Sequence, residues 1–117
     1  MGHLSTHVLD TSSGKPAEGV AWSLFRITGD KKVNVCSGVT NADGRTDGPL
    51  LEGDSVEVGT YELVFQVAAY FRRIGTALSD PPFLDEIPLR FAIFDANQKY
   101  HVPLLVTPYS YSTYRGS

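Results

Sequence analysis

Tyr100-His101-Val102-Pro103-Leu104-Leu105-Val106-Thr107 alternates with period two. Tyr100, Val102, Leu104 and Val106 fall on one apolar face, as in a strand with one side in a core. The opposite face carries His101, Pro103, Leu105 and Thr107. A solvated sheet face carries Lys, Glu or Gln instead. A mixed apolar face with one histidine is the kind that another subunit covers, or that lines a ligand groove. This one strand therefore predicts a β protein and places His101 on a covered surface.

The same period runs outward in both directions. Leu4–Leu9, Val20–Thr28, Val33–Thr40, Gly59–Val67 and Ile87–Phe94 read as strands, with a short one before Gly53-Asp54. Tyr61, Leu63, Phe65 and Val67 share a face, as do Ile87, Leu89, Phe91 and Ile93. Asp10–Gly19 is a loop by composition, and Asn41-Ala42-Asp43-Gly44 is a tight turn, because Asp-Gly tolerates positive φ. Ala68–Ile74 is the one predicted helix, closed by Gly75. Asp80-Pro81-Pro82 ends that excursion. The tail carries Tyr109, Tyr111 and Tyr114 rather than Lys and Glu, which reads as an ordered final strand over Tyr109–Tyr114. Seven or eight short strands, with turn signals about every 8–12 residues, predict an all-β sandwich. The 117 residues make one domain, 1–117, without repeat or linker.

Composition narrows the function classes. A net charge of -3 argues against a nucleic-acid surface. No stretch approaches the roughly 20 apolar residues of a membrane span, and no signal sequence opens the chain, so the cytoplasm is expected. Cys36 is the only cysteine and lies in an apolar β-prone run, where it serves as a small apolar group rather than a nucleophile. No metal-ligand spacing, phosphate loop or nucleophile elbow is present, and no metal is expected.

Of three histidines, His3 lies at the frayed start and is read as uninvolved, while His7 and His101 lie on strands. A neutral imidazole takes a proton from water near neutral pH. Arg45, beside the tight turn, is the natural clamp for a planar carbonyl or an anionic heterocycle. Spacing alone leaves a catalytic site and a non-catalytic module equally open.

The chain resembles the transthyretin-like 5-hydroxyisourate hydrolases. The likeness is carried by Leu4-Ser5-Thr6-His7-Val8-Leu9-Asp10, Asp43-Gly44-Arg45, Ala69-Tyr70-Phe71, Tyr100-His101-Val102-Pro103-Leu104-Leu105 and Ser112-Thr113-Tyr114-Arg115-Gly116-Ser117. The stretch Leu78–Asp85 is less familiar and lies far from these motifs in sequence. The resemblance implies a transthyretin-like β-sandwich of two four-stranded sheets with one short helix. It implies a homotetramer with active sites at the dimer–dimer interface. It also implies hydrolysis of 5-hydroxyisourate to 2-oxo-4-hydroxy-4-carboxy-5-ureidoimidazoline, without metal or organic cofactor. Carried over, His7, Arg45 and His101 are the catalytic trio, Tyr114 positions the flat ring, and Ser117 completes the pocket. The α-carboxylate of Ser117, near two histidines, would raise their pKa or fix a tautomer.

Three rival readings remain at this point. A transthyretin-like carrier would bind a small aromatic ligand in the tetramer channel, but has no need for two titrating groups and a clamp. An immunoglobulin-like adhesion sandwich would tolerate a trimmed tail. A thiol enzyme would depend on Cys36.

Overall fold

A computed structural model describes residues 1–117. Eleven strands run in chain order: β1 (His3–Ser5), β2 (Val8–Asp10), β3 (Lys15–Pro16), β4 (Ala21–Thr28), β5 (Lys31–Val39), β6 (Leu51–Glu52), β7 (Gly59–Gln66), β8 (Glu86–Ile93), β9 (Lys99–His101), β10 (Leu104–Val106) and β11 (Tyr111–Ser112). The single α-helix, α1, spans Val67–Arg73. Gly75, at φ 87, turns the chain out of it.

One layer is an antiparallel sheet of order β5-β4-β7-β8. Its inward rows are those the alternation predicts: Leu24 faces Leu63, which faces Leu89, and Trp22 faces Phe65, which faces Ile87. The register shifts between Leu24 and Phe25. Beyond it Val33 and Val35 point to solvent, while Cys36 packs against the core.

The other layer comprises two ladders, β6-β1-β9 and β11-β10-β2-β3. The sequence implies one continuous four-stranded sheet here, with unbroken strands Leu4–Leu9 and Tyr100–Thr107. Instead both strands part at the same height, Thr6-His7 beside Val102-Pro103. The cause is local. Pro103 has no N–H to place in a ladder, and Thr6 Oγ1 donates to the Val102 carbonyl at 2.7 Å. The pairing itself does not slip. Leu4 faces Tyr100 above the break and Val8 faces Leu104 below it, at the same offset. Backbone bonds cross the gap: Val102 N–H reaches the Ser5 carbonyl at 2.9 Å and Leu104 N–H the His7 carbonyl at 2.8 Å.

Between the layers lies one cluster of 22 buried hydrophobic residues, with Tyr61, Tyr100, Phe65 and Phe71 the largest fully buried side chains. Leu4, Val8, Tyr100, Leu104 and Val106 enter it from one side and Leu24, Leu63, Phe65, Ile87 and Ile93 from the other. α1 is tied down from the far layer by Tyr70, whose hydroxyl donates to Asp10 Oδ2 at 2.9 Å. Burial pushes that phenol up to about 12, and the Asp10 carboxylate adds to the shift.

Candidate active site

The break in the second layer is where the polar residues gather. Along β1 and β2 burial alternates without a fault: Leu4, Thr6, Val8 and Asp10 are buried, while His3, Ser5, His7 and Leu9 are half-buried on the outer face. In the neighbouring strand Ser5 pairs with His101, and their side chains meet, Ser5 Oγ lying 2.9 Å from His101 Nδ1. This bond leaves Nε2 as the free nitrogen of His101. Sequence reading missed Ser5 as a partner. The signal was its two-residue spacing from His7, which places both on one face.

At the gap His7 leaves its ladder and bridges Arg45 instead. The Arg45 turn is self-organised. Asn41 Oδ1 accepts from the backbone N–H groups of Asp43 and Arg45 at 2.9 and 3.1 Å. Gly44 sits at φ 74, and a Cβ there would collide with the Val8 carbonyl oxygen. Gly44 is thus required twice, for its dihedral and for the close approach of the turn to β2. Its own carbonyl accepts from Val8 N–H at 2.8 Å. The His7 ring closes the arrangement, Nε2 lying 2.8 Å from the Asp43 carbonyl. A carbonyl only accepts, so Nε2 carries the hydrogen, and the free lone pair of neutral His7 is on Nδ1.

The tail arrives from the other side. The predicted strand Tyr109–Tyr114 is cut to Tyr111–Ser112, because Thr107 and Ser110 form a turn with a 2.8 Å backbone bond. Beyond it, Thr113 Oγ1 donates to the Pro103 carbonyl at 2.6 Å. Gly116 then bridges His101 through both backbone bonds, at 2.8 and 3.1 Å. A Cβ at Gly116 would lie 3.1 Å from that of His101. The Tyr114 ring stands edge-on to the His101 imidazole at 6.5 Å between centroids. Arg115 lies over the Tyr100 ring at 4.6 Å and donates to Gln98 Oε1 at 2.8 Å. Ser117 is exposed.

Electrostatics sets the state of His101. Burial first, then the positive charge of Arg45, then the electrostatic influence of the His7 and His3 rings, hold its pKa below the ordinary imidazole value. The His101 pKa is thus lowered, where the Ser117 carboxylate was read as raising it or fixing a tautomer. A neutral imidazole with Nδ1 engaged and Nε2 free is equipped to take a proton from water. Beside it, Arg45 is exposed and lines a pocket of about 180 Å³ with His3, Ser5, Thr6 and Thr46. His3 therefore joins the site, contrary to its reading as an uninvolved end residue. A wider groove of about 370 Å³ opens between β8 and the tail, lined in part by Phe91, Tyr111 and Tyr114. Tyr114 thus faces both that groove and His101. Cys36 does not line the pocket with Arg45, and burial pushes its thiol up, away from the thiolate a nucleophile needs.

Comparison with known proteins gives the chain's relatives. The chain is 58% identical over 118 residues to the 5-hydroxyisourate hydrolase of Deinococcus radiodurans, covering 99% of this chain and 98% of that one. Among solved structures it is similar to (S)-allantoin synthase, with a TM-score of 0.94 and 50% identity, over 99% of this chain but only 44% of the synthase. It is also similar to sea bream transthyretin in complex with thyroxine, with a TM-score of 0.85 and 28% identity, over 97% of this chain and 93% of that one. Residues 4–116 match a family as a whole, and the chain belongs to it: the HIUase/Transthyretin family.

Proposed function

We propose that this chain hydrolyses 5-hydroxyisourate to 2-oxo-4-hydroxy-4-carboxy-5-ureidoimidazoline, a step of urate breakdown, at a site made by His7, Arg45 and His101. The carrier reading draws on the 28% identity to transthyretin, whereas relatives named as hydrolases reach 58%. The observation that carries the catalytic reading is the Ser5–His101 bond of 2.9 Å, which presents a half-buried imidazole by its Nε2 edge.

In the mechanism we favour, His101 Nε2 takes a proton from a water as its oxygen bonds to the ring carbonyl carbon. For this Nδ1–H donates to Ser5 Oγ. The tetrahedral oxyanion is held by the Arg45 guanidinium, which has no partner within the chain and points no charge elsewhere. The carbon–nitrogen bond then breaks, and the departing ring nitrogen takes a proton delivered by a histidine. The new acid loses its own proton to solvent, leaving a carboxylate. His7, fixed by the Asp43 carbonyl, orients the ring or delivers the proton to nitrogen. Tyr114 positions the flat ring, and Ser117 completes the pocket from the tail.

The assembly that suits this site is a homotetramer with active sites between dimers. What supports it is the outer face of the His101 strand, where Leu9 and Leu105 lie side by side in register. No helix is long and apolar enough to cross a membrane, and we place the enzyme in the cytoplasm. The test is an ultraviolet time course. Urate and urate oxidase generate 5-hydroxyisourate in place, and added protein should speed its disappearance in proportion to dose. Arg45→Gln should lower turnover by about two to three powers of ten. No acceleration by the folded protein would end the hydrolase reading in favour of the carrier.

A further inference from the structure

His3 has no task in the mechanism above, yet the fold does not leave it at a frayed end. It opens β1, pairs with Lys99 of β9 on one side and Glu52 of β6 on the other, and is half-buried. Strand alternation turns it to the same face as Ser5 and His7. There it lines the pocket of about 180 Å³ that also holds Arg45.

The polar groups of that pocket divide into two sets. The hydroxyls are already engaged: Ser5 with His101 Nδ1 at 2.9 Å, Thr6 with the Val102 carbonyl at 2.7 Å, and Thr46 with the Gly48 carbonyl. The His3 imidazole and the Arg45 guanidinium have no side-chain hydrogen bond or ion pair within the chain. No carboxylate and no Val, Leu, Ile or aromatic side chain lines the cavity. Two nearby acids lie outside it. Asp47 accepts from Asn41 Nδ2 at 3.1 Å, and exposed Glu52 faces His3 across the ladder, with Lys99 on the far side of His3. A small polar cavity with two unpaired nitrogen donors and no acid in its wall is matched to an anion.

Amide hydrolysis creates such an anion. The substrate presents a neutral carbonyl at the bond to be cut, and the product carries a carboxylate in its place. We propose that the pocket is a carboxylate subsite, in which His3 and Arg45 together receive the carboxylate formed on ring opening, making His3 a further binding residue of the site. Arg45 supplies the two parallel N–H bonds of its fork, and His3 a third donor from the strand side. The inference rests on the hydrolase reading for the origin of the anion, but the subsite can be tested separately.

The probes are hydantoin-5-acetate and its neutral amide, tested as inhibitors of 5-hydroxyisourate hydrolysis and, separately, as ligands by calorimetry. The wild-type protein should bind the carboxylate about tenfold more tightly than the amide. His3→Gln should narrow that preference by about fivefold, His3→Lys should keep it, and affinity for the amide should not move in either variant. Three results would overturn the proposal: equal binding of the two probes, no binding of the carboxylate, or an unchanged preference in His3→Gln. The last includes the case in which His3 acts only through its field on His101, which would shift the pH profile and leave the preference intact. A wild-type protein that binds the carboxylate selectively but hydrolyses nothing would sink the hydrolase reading and leave the subsite standing.

Discussion

At the scale of single residues, catalysis turns on how His101 is held. Ser5 Oγ engages Nδ1 at 2.9 Å, so Ser5→Ala should free the ring to rotate and change tautomer. Turnover should fall about tenfold to a hundredfold with little change in KM, and Ser5→Thr should restore most of it, since its hydroxyl can occupy the same place. Equal loss in the alanine and threonine variants would remove Ser5 from the mechanism. The pH dependence has a definite sign. Because burial and the Arg45 charge depress the His101 pKa, the active neutral form persists below the ordinary imidazole value of about 6.5. The acid limb of kcat/KM should therefore lie on the acid side of that value, and Arg45→Gln should move whatever activity remains toward it. The same shift acts on folding. The neutral ring contributes stability that is full above the unfolded histidine pKa and is lost as pH falls through the folded one. The identities of His7, Arg45 and His101 stood out as residue types in the sequence. Ser5 and His3 did not, because nothing in a lone hydroxyl or a terminal histidine marks it until the register sets Ser5 against His101 and the fold puts His3 and Arg45 in one pocket wall.

At the scale of elements, the alternating strands were legible and their interruptions were not. Gly59–Val67 and Ile87–Phe94 emerge almost residue for residue as β7 and β8, since period two with β-branched and aromatic residues has one physical solution. The split at Thr6-His7 and Val102-Pro103 was hidden. Pro103 hinted at it, but a proline at a sheet edge carries the same signal, and the Thr6 hydroxyl that satisfies the Val102 carbonyl is a tertiary contact. That split matters more than the strands around it, because it releases His7 to Arg45. The tail behaves likewise. Its aromatic content foretold order, but the Gly116–His101 bridge came only with the fold. Deleting Tyr114–Ser117 removes three exposed residues, half-buried Gly116 and no core, so thermal unfolding should shift by only a few degrees. Hydrolysis should nonetheless fall by at least about a hundredfold, since the deletion uncovers His101 and removes the ring beside it. A truncated chain that keeps most of its activity would show that the tail only packs.

At the scale of the molecule, one sandwich supports both a carrier and a hydrolase, and the difference lies in what its outer face carries. The upper half of that face, His3, Ser5, His7 and His101, is polar, and the lower half, Leu9 and Leu105, is apolar. If the lower half seals one dimer against another, Leu105→Glu should halve the mass seen by light scattering and cost activity, while the unfolding midpoint of the separated dimers stays close to that of the parent. A Leu105→Glu protein of unchanged mass would place the assembly contact elsewhere. If the imidazole of His101 is the base, it should be visible in the ultraviolet decay of freshly generated 5-hydroxyisourate, followed with equal amounts of wild-type protein and His101→Asn, an amide that keeps hydrogen bonding but cannot take a proton near neutral pH. Decay should be rapid and dose-dependent with the wild type and, with folded His101→Asn, slowed by about two to four powers of ten toward the uncatalysed rate. Decay as fast with His101→Asn as with the wild type would contradict it.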